Sequence, residues 1–184
     1  KDLKQIYKYN KPKTGYVFSE LLKSYFISLE TTVIRKSHLQ KLDYYFDNDF
    51  NVIEEYDLFV RLSYICKLGF IDQPLAKWRI HKNSLTSKRQ DLFISETQEF
   101  IKKISLNIKN FEKDYKKEKK ILECNSLFQL GIHEWRQGNN KKCRRIMFQL
   151  ISFRKKSILV FILSFFIPFY IFDYFEKYKN GVNI

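Results

Sequence analysis

The stretch EEYDLFVRL, residues 54–62, places three carboxylates directly ahead of an apolar pattern with helical spacing. The pattern continues to about residue 68, and the following Gly69 predicts the C-cap of a helix. The first turn of a helix favours negative charge because its backbone N–H groups have no partners within the helix. The stretch by itself is therefore typical of a charged helix start, with Asp57 and Arg61 predicted as an ion pair one turn apart.

The composition indicates a helix-rich globular chain with a basic character. Its 184 residues suffice for one domain with a real core, or for one domain and a helical tail. Aromatic residues are abundant, with 18 Phe and 12 Tyr, whereas 5 Gly and 3 Pro are too few for a disordered chain. The formal net charge of +14 predicts an anionic partner, which could be a membrane surface, nucleic acid or a phosphorylated ligand.

Three cysteines occur, Cys66, Cys124 and Cys143, and none belongs to a CxxC pair. Their number is odd and two of them fall on apolar helix faces, which favours reduced core thiols in a cytoplasmic protein. Neither a zinc site nor a disulfide framework is expected. The chain begins at Lys1 without the pattern of a signal peptide, and we expect it to be a fragment of a longer protein.

Short segments of mixed type precede the central helix. Residues 18–26 have the spacing of an amphipathic helix, and the β-branched residues 31–35 predict a strand. Ser37 is a candidate cap for a brief helix, after which residues 43–51 form a loop into the carboxylates.

An alternating segment, residues 75–81, follows the central helix and predicts a second strand. Its polar face would carry Lys77, Arg79 and His81. Such a face suits an anionic ligand, but it could equally be the solvent-facing edge of a sheet.

The pattern becomes wholly helical from about residue 91. Amphipathic spacing predicts one helix over 91–111 and a second over 121–136. Gly138 starts a Gly-Asn-Asn turn into a third helix, so that the last two helices would form an antiparallel hairpin. The predicted domains are an acceptor-side half over 1–90, a helical extension over 91–153 and an apolar tail near the membrane over 154–184.

The tail contains an uncharged 16-residue run, residues 157–172, directly after the basic triplet Arg154-Lys155-Lys156. The run is shorter than the roughly 20 residues that span a bilayer as a helix, and Pro168 interrupts it. Three interpretations stay open at this point: an interfacial membrane helix, a buried docking helix and a true membrane span.

Five short sequence elements within residues 14–87 follow one another at a regular spacing. They are GYVF (15–18), TVIRK (32–36), FDNDF (46–50), EEYDLFVRL (54–62), and FIDQPL (70–75) with WRIH (78–81). The fourth resembles the signature Glu-Asp-x-(Asp/Glu)-Leu-(Trp/Phe)-x-x-Arg of family-2 glycosyltransferases, and together they resemble the C-terminal half of that catalytic domain. The resemblance implies an α/β fold, mostly helical with a few strands, as a partial GT-A domain followed by an α-helical C-terminal tail.

The resemblance also implies a reaction. In inverting glycosyl transfer a carboxylate takes the proton of the acceptor hydroxyl as that hydroxyl attacks the anomeric carbon. The family's base is the Asp of the Glu-Asp pair, and Glu55 stands at that position with one methylene more. Glu54 and Asp57 would shape the acceptor pocket or orient the base.

Departure of a nucleotide diphosphate requires positive charge or a metal ion. The candidates for this role are Arg79, His81, Arg61 and Lys77, with His81 also a candidate metal ligand. A divalent cation, Mg²⁺ or Mn²⁺, is expected through an Asp-x-Asp motif in the family's nucleotide-binding half, and no segment of this sequence resembles that half. Asp47-Asn48-Asp49 has the spacing, but it lies in the acceptor-side loop, so we reject it as that motif.

The expected function is that of a fragment of an inverting glycosyltransferase of the hexosyltransferase type. Its partners would be a nucleotide-sugar donor, a glycan or lipid-linked acceptor of bacterial surface polysaccharide synthesis, and an anionic membrane surface, with no nucleic acid. It would lie in the cytoplasm, peripheral to the inner membrane face. The alternative is a non-enzymatic basic helical protein that binds nucleic acid or an anionic membrane surface.

Overall fold

The computed structural model describes residues 13–77 and 89–179, and within these ranges the chain is helical. The helices in chain order are α1 (Phe18–Lys23), α2 (Lys36–Leu39), α3 (Glu54–Ile65), α4 (Gln90–Asn107), α5 (Phe111–Asp114), α6 (Lys116–Arg136), α7 (Asn140–Leu150), α8 (Lys155–Phe166) and α9 (Phe169–Lys179). A short 3₁₀ helix at Leu29–Thr31 lies between α1 and α2. The one β pairing among the described residues is an antiparallel bridge between Gly15 and Leu68.

The predicted α/β fold with a partial GT-A domain is wrong, because the described residues contain helices and no sheet. A strand was predicted over residues 31–35, but residue 31 ends the 3₁₀ helix and residues 32–35 are irregular, without a β partner among the described residues. Val33 is 97% exposed. β-branched residues form a strand only where a neighbouring strand satisfies their backbone and one face is buried. Of the second predicted strand, residues 75–77 are exposed and irregular, and residues 78–81 lie outside the described residues.

Helix α3 carries the carboxylates in its first turn, as predicted, but it ends before the predicted residue 68. Its last residue is Ile65, and Cys66 adopts extended backbone with φ −142° and ψ 163°. Gly69 does not adopt the left-handed conformation of a C-cap. The backbone of Leu68 instead exchanges two 2.8 Å hydrogen bonds with Gly15, which ties the end of α3 to the start of α1.

Helices α1 and α3 pack with α4 and α6 around one hydrophobic core. Its buried members are Val17, Phe18, Leu21, Leu22, Phe50, Ile53, Tyr56, Val60, Phe100, Ile101, Ile104, Ile108, Phe111 and Leu122. These members come from both sides of residue 90, so the later helices provide much of the surface on which α3 rests.

The predicted helical hairpin is confirmed as α6 and α7, joined through Gly138 at φ +81°. Helix α6 begins at Lys116, earlier than the predicted residue 121, because the lysine-rich segment continues the helix. The two helices approach closely at Gly131, where an added Cβ would lie 2.4 Å from Cε of Met147. With α8 they enclose a second core, formed by Cys124, Phe128, Trp135, Cys143, Ile146, Met147, Leu150 and Val160.

All three cysteines are free thiols. Cys124 and Cys143 are buried in the second core, and Cys66 is partly buried at the end of α3. Burial raises the pKa of Cys143 to about 11 and raises the pKa of Cys124 above its usual value. Both are therefore protonated packing residues at neutral pH.

The apolar run of the tail divides into two helices, because Pro168 separates α8 from α9. Helix α8 packs on α7. Helix α9 packs on the end of α6, where Phe169 and Phe172 contact Trp135 with ring centroids 5.5 and 4.9 Å apart. Within residues 13–77 and 89–179, no helix has both the length and the apolar character to cross a membrane.

Candidate functional site

The first turn of α3 begins without a capping side chain. Ile53 is the N-cap residue, and its side chain is buried in the first core. Glu54 and Glu55 follow as the first two residues of the helix. Because the N–H groups of this turn have no helical partners, the start of α3 can hold negative charge.

The predicted ion pair between Asp57 and Arg61 is confirmed, and it reaches beyond α3. Oδ2 of Asp57 accepts hydrogen bonds from Nε and Nη2 of Arg61 at 2.9 and 2.6 Å. The same guanidinium donates to the carbonyl oxygens of Tyr44 and Tyr45 at 2.7 and 2.8 Å. Burial raises the pKa of Asp57, and the hydrogen bonds from Arg61 oppose that rise. The pair therefore anchors the preceding loop to α3.

Glu96, which the sequence reasoning missed, holds the part of the loop that enters α3. It lies on α4, is 6% exposed, and accepts the backbone N–H groups of Asn51 and Val52 at 2.9 and 3.0 Å. The side-chain amide of Asn51 adds a third hydrogen bond, of 3.3 Å. A signal was present, because Glu96 follows Phe93 by three residues and precedes Phe100 by four, and so interrupts an apolar stripe. A carboxylate in such a position requires partners.

Lys103 was also missed, and it fixes an earlier part of the same loop to α4. Its ammonium donates to Asp47 at 2.7 Å and to Asp49 at 2.6 Å. Burial alone would raise the pKa of Asp47, but hydrogen bonds from Lys103 and from the backbone N–H of Asp49 lower it below its usual value. The Asp-x-Asp spacing in this loop thus serves an ion pair with a lysine.

The two carboxylates that begin α3 are partly buried and have few partners. Oε2 of Glu54 is buried, and no described group forms a hydrogen bond with it. Burial raises the pKa of Glu55, and the negative charges of Glu54 and Glu30 raise it further. A raised pKa makes a carboxylate a stronger proton acceptor, which is the property required of a general base.

The other predicted site residues are not assembled around these carboxylates in the described structure. Lys77 is exposed in the irregular segment after α3, and Arg79 and His81 lie outside the described residues. Nε, Nη1 and Nη2 of Arg61 all donate within the chain. A contact of any of these four residues with a diphosphate stays a prediction.

The described ranges contain no group of three or more His, Cys, Asp or Glu side chains placed to hold a metal ion. The expected Mg²⁺ or Mn²⁺ belongs to a nucleotide-binding half that this sequence does not resemble, so it stays a prediction, and His81, the candidate ligand, is outside the described residues. Glu55, a partly buried carboxylate with a raised pKa, is a described group whose chemistry would suit proton transfer.

A cleft of about 650 Å³ lies elsewhere, between the end of α6 and the junction of α8 and α9. Its lining includes Trp135, Arg136, Phe169 and Asp173, and none of the predicted site residues that the structure describes. Because proton transfer needs a carboxylate with a suitable pKa, we centre the candidate site on the start of α3 and not on this cleft.

Comparisons of the chain with protein-family models, with curated proteins and with solved structures find no match. The resemblance of residues 14–87 to family-2 glycosyltransferases therefore rests on the sequence elements quoted above. The geometry that bears on it is the pair of carboxylates at the start of α3 and the loop that α4 holds in front of them.

Proposed function

We propose that this chain provides the acceptor-binding part of an inverting glycosyltransferase, with Glu55 as the general base. The donor would be a nucleotide sugar, and the acceptor a glycan or lipid-linked glycan of bacterial surface polysaccharide synthesis. The observation that carries the proposal is the pair Glu54 and Glu55, two partly buried carboxylates of which the second has a raised pKa. Carboxylates of this kind are characteristic of acid–base sites.

Each carboxylate of the pair has a distinct step in the proposed reaction. The acceptor oxygen forms a bond to the anomeric carbon, while the bond from that carbon to the diphosphate breaks and the diphosphate leaves with the electron pair. The proton of the acceptor hydroxyl passes to ionised Glu55. Glu54, the other partly buried carboxylate, would shape the acceptor pocket or orient Glu55.

The contacts around α3 support this assignment because a base must be held in place. The Asp57–Arg61 pair secures one part of the loop, and Glu96 secures the residues that lead directly into the first turn. Misplacement of a reacting group by roughly 1 Å can slow a reaction about a hundredfold.

A lipid-linked acceptor would be met at a membrane surface. We therefore extend the proposal to a peripheral position at the cytoplasmic face of the inner membrane. The formal net charge of +14 supports that position, because anionic lipids attract basic proteins.

Replacement of Glu55 by glutamine tests the assignment. Transfer would be measured as incorporation of radiolabelled sugar from a mixture of nucleotide sugars into membrane glycolipid, with the longest polypeptide that contains this chain. Loss of the base should lower the rate about 10²- to 10⁴-fold. The matched control is Glu99→Gln, which removes an exposed carboxylate paired with Lys102 and should leave the rate unchanged. A normal rate in Glu55→Gln would exclude Glu55 as the base.

A further inference from the structure

Helix α8 presents five large apolar side chains to the outside and two serines to the protein, while Val160, Phe161 and Leu163 pack against the second core. Its fully buried positions are Ser157, Val160 and Ser164, each at most 2% exposed. Its exposed apolar positions, between 41 and 79% exposed, form what we call the apolar stripe: Ile158, Leu159, Ile162, Phe165 and Phe166. A helix that met only protein and water would be expected to turn such residues inward and its serines outward.

The apolar stripe follows one side of the helix. Its members occupy positions i, i+1, i+4, i+7 and i+8 of a helix about 18 Å long. Aromatic rings extend the surface onto α7: the ring centroid of Phe165 lies 5.4 Å from that of Phe161, which lies 6.0 Å from that of Phe148. Phe148 is itself 67% exposed. Exposed apolar residues that adjoin in this way mark an interaction surface, unlike single exposed ones.

The contacts on the inner side of α8 keep the apolar stripe outward. The hydroxyl of Ser164 is satisfied within α8, where it donates to the carbonyl oxygen of Phe161 at 2.8 Å. Arg144 on α7 donates to the carbonyl oxygen of Ser164 at 3.0 Å and so connects the two helices. Small side chains at the buried positions Ser157 and Ser164 let α8 lie close to α6 and α7, as small residues do where helices pack closely. Turning the stripe inward would break the hydrogen bond from Arg144 and force large side chains into a space filled by serines.

Basic side chains border the apolar stripe. Lys155 and Lys156 are exposed in the first turn of α8, where the helix dipole disfavours positive charge, so helix stability does not account for them. At the other end, the guanidinium of Arg144 lies 4.3 Å from the ring centroid of Phe165. An apolar surface with a cationic border complements a bilayer in which anionic phosphates cover hydrocarbon.

We propose that the apolar stripe docks this chain on the surface of an anionic lipid bilayer. Helix α8 would lie in the membrane plane, with the stripe below the phosphates and Lys155 and Lys156 against them. A length of about 18 Å suits this orientation, since it is well below the roughly 30 Å of the hydrocarbon core. The inference is independent of the role of Glu55, because docking requires neither donor nor acceptor.

Co-sedimentation with lipid vesicles tests the proposal in the absence of any sugar substrate. The chain should bind vesicles of phosphatidylcholine mixed with phosphatidylglycerol, bind phosphatidylcholine alone more weakly, and lose binding as salt is added. Ile162→Glu should weaken binding at least about tenfold, because burial of one isoleucine side chain contributes that much or more to affinity. The control Ile71→Glu makes the same change at an isoleucine that is 66% exposed after α3, and it should bind normally.

Three results would overturn the proposal. The first is equal affinity for anionic and neutral vesicles, or no affinity for either. The second is equal loss of binding in Ile162→Glu and Ile71→Glu while circular dichroism shows both folded. The third is a dimer in sedimentation equilibrium that Ile162→Glu dissociates while vesicle binding is absent, since a second copy of the chain would then cover the stripe.

Discussion

Replacement of Glu96 by alanine tests whether α4 holds the loop that enters α3. The change removes the carboxylate that accepts the backbone N–H groups of Asn51 and Val52 at 2.9 and 3.0 Å. It leaves both donors without their partner while the core around Phe100 is untouched. Since Glu96 is 6% exposed, its hydrogen bonds are shielded from water on the carboxylate side.

The expected loss of stability follows from these contacts. A hydrogen bond to a charged group contributes about 1.5–3 kcal/mol net, so two such bonds set an upper range of about 3–6 kcal/mol. Asn51 is exposed and Val52 only partly buried, so water can replace the lost acceptor in part. We therefore expect Glu96→Ala to lower the free energy of unfolding by about 2–4 kcal/mol.

Urea unfolding would measure this loss, with Glu99→Ala as the control. Both changes remove the same atoms from the interior of α4, so their effects on helix propensity cancel. Among residues 13–77 and 89–179, Glu99 pairs only with the exposed Lys102, and its removal should cost less than about 1 kcal/mol. Amide hydrogen exchange at Val52 should accelerate in Glu96→Ala alone. Equal unfolding free energies in the two variants would refute the role assigned to Glu96.

Two further predictions concern pH. The pKa of Asp47 is lowered in the folded state, so Asp47→Asn should destabilise the protein by about 1–2 kcal/mol at neutral pH. The difference in unfolding free energy from wild type should disappear as the pH falls below the usual pKa of 3.8. Urea unfolding across this pH range would measure the difference, and a difference that stayed constant would contradict the prediction. The pKa of Glu55 is raised in the folded state, so its ionised form disfavours folding. Glu55→Gln should therefore raise the melting temperature at neutral pH, but not at a pH below the usual pKa of 4.5. A lower melting temperature of the variant at neutral pH would contradict this prediction.

Local sequence signals predicted the parts of the fold that depend on neighbouring residues. The carboxylate start of α3, the Asp57–Arg61 pair and the turn at Gly138 are of this kind, because each depends on residues within about one helical turn. The prediction of a strand around Val33 was wrong, because a strand needs a neighbouring strand and a local sequence pattern does not show whether one is present.

The residues that anchor the candidate site could not be predicted from local patterns, because their partners lie far away in the sequence. Glu96 bonds to residues 44 and 45 positions away, and Lys103 bonds to Asp47 across 56 positions. A polar residue within an apolar stripe shows that a buried partner exists, but not which residue it is. The tail was predicted to be apolar, and only the burial of Ser157 and Ser164 shows that five of its large apolar side chains lie outside.

The titration of the Glu55 carboxyl group by NMR tests the central claim most directly. The chemical shift of its side-chain carboxyl carbon, followed against pH in the folded chain, should give a midpoint above the usual value of 4.5. Glu54→Gln removes a neighbouring negative charge and should lower that midpoint while keeping it above the usual value, because burial is the larger cause of the shift. A midpoint at or below 4.5 in the wild-type chain would contradict the assignment of Glu55 as a base activated by its surroundings.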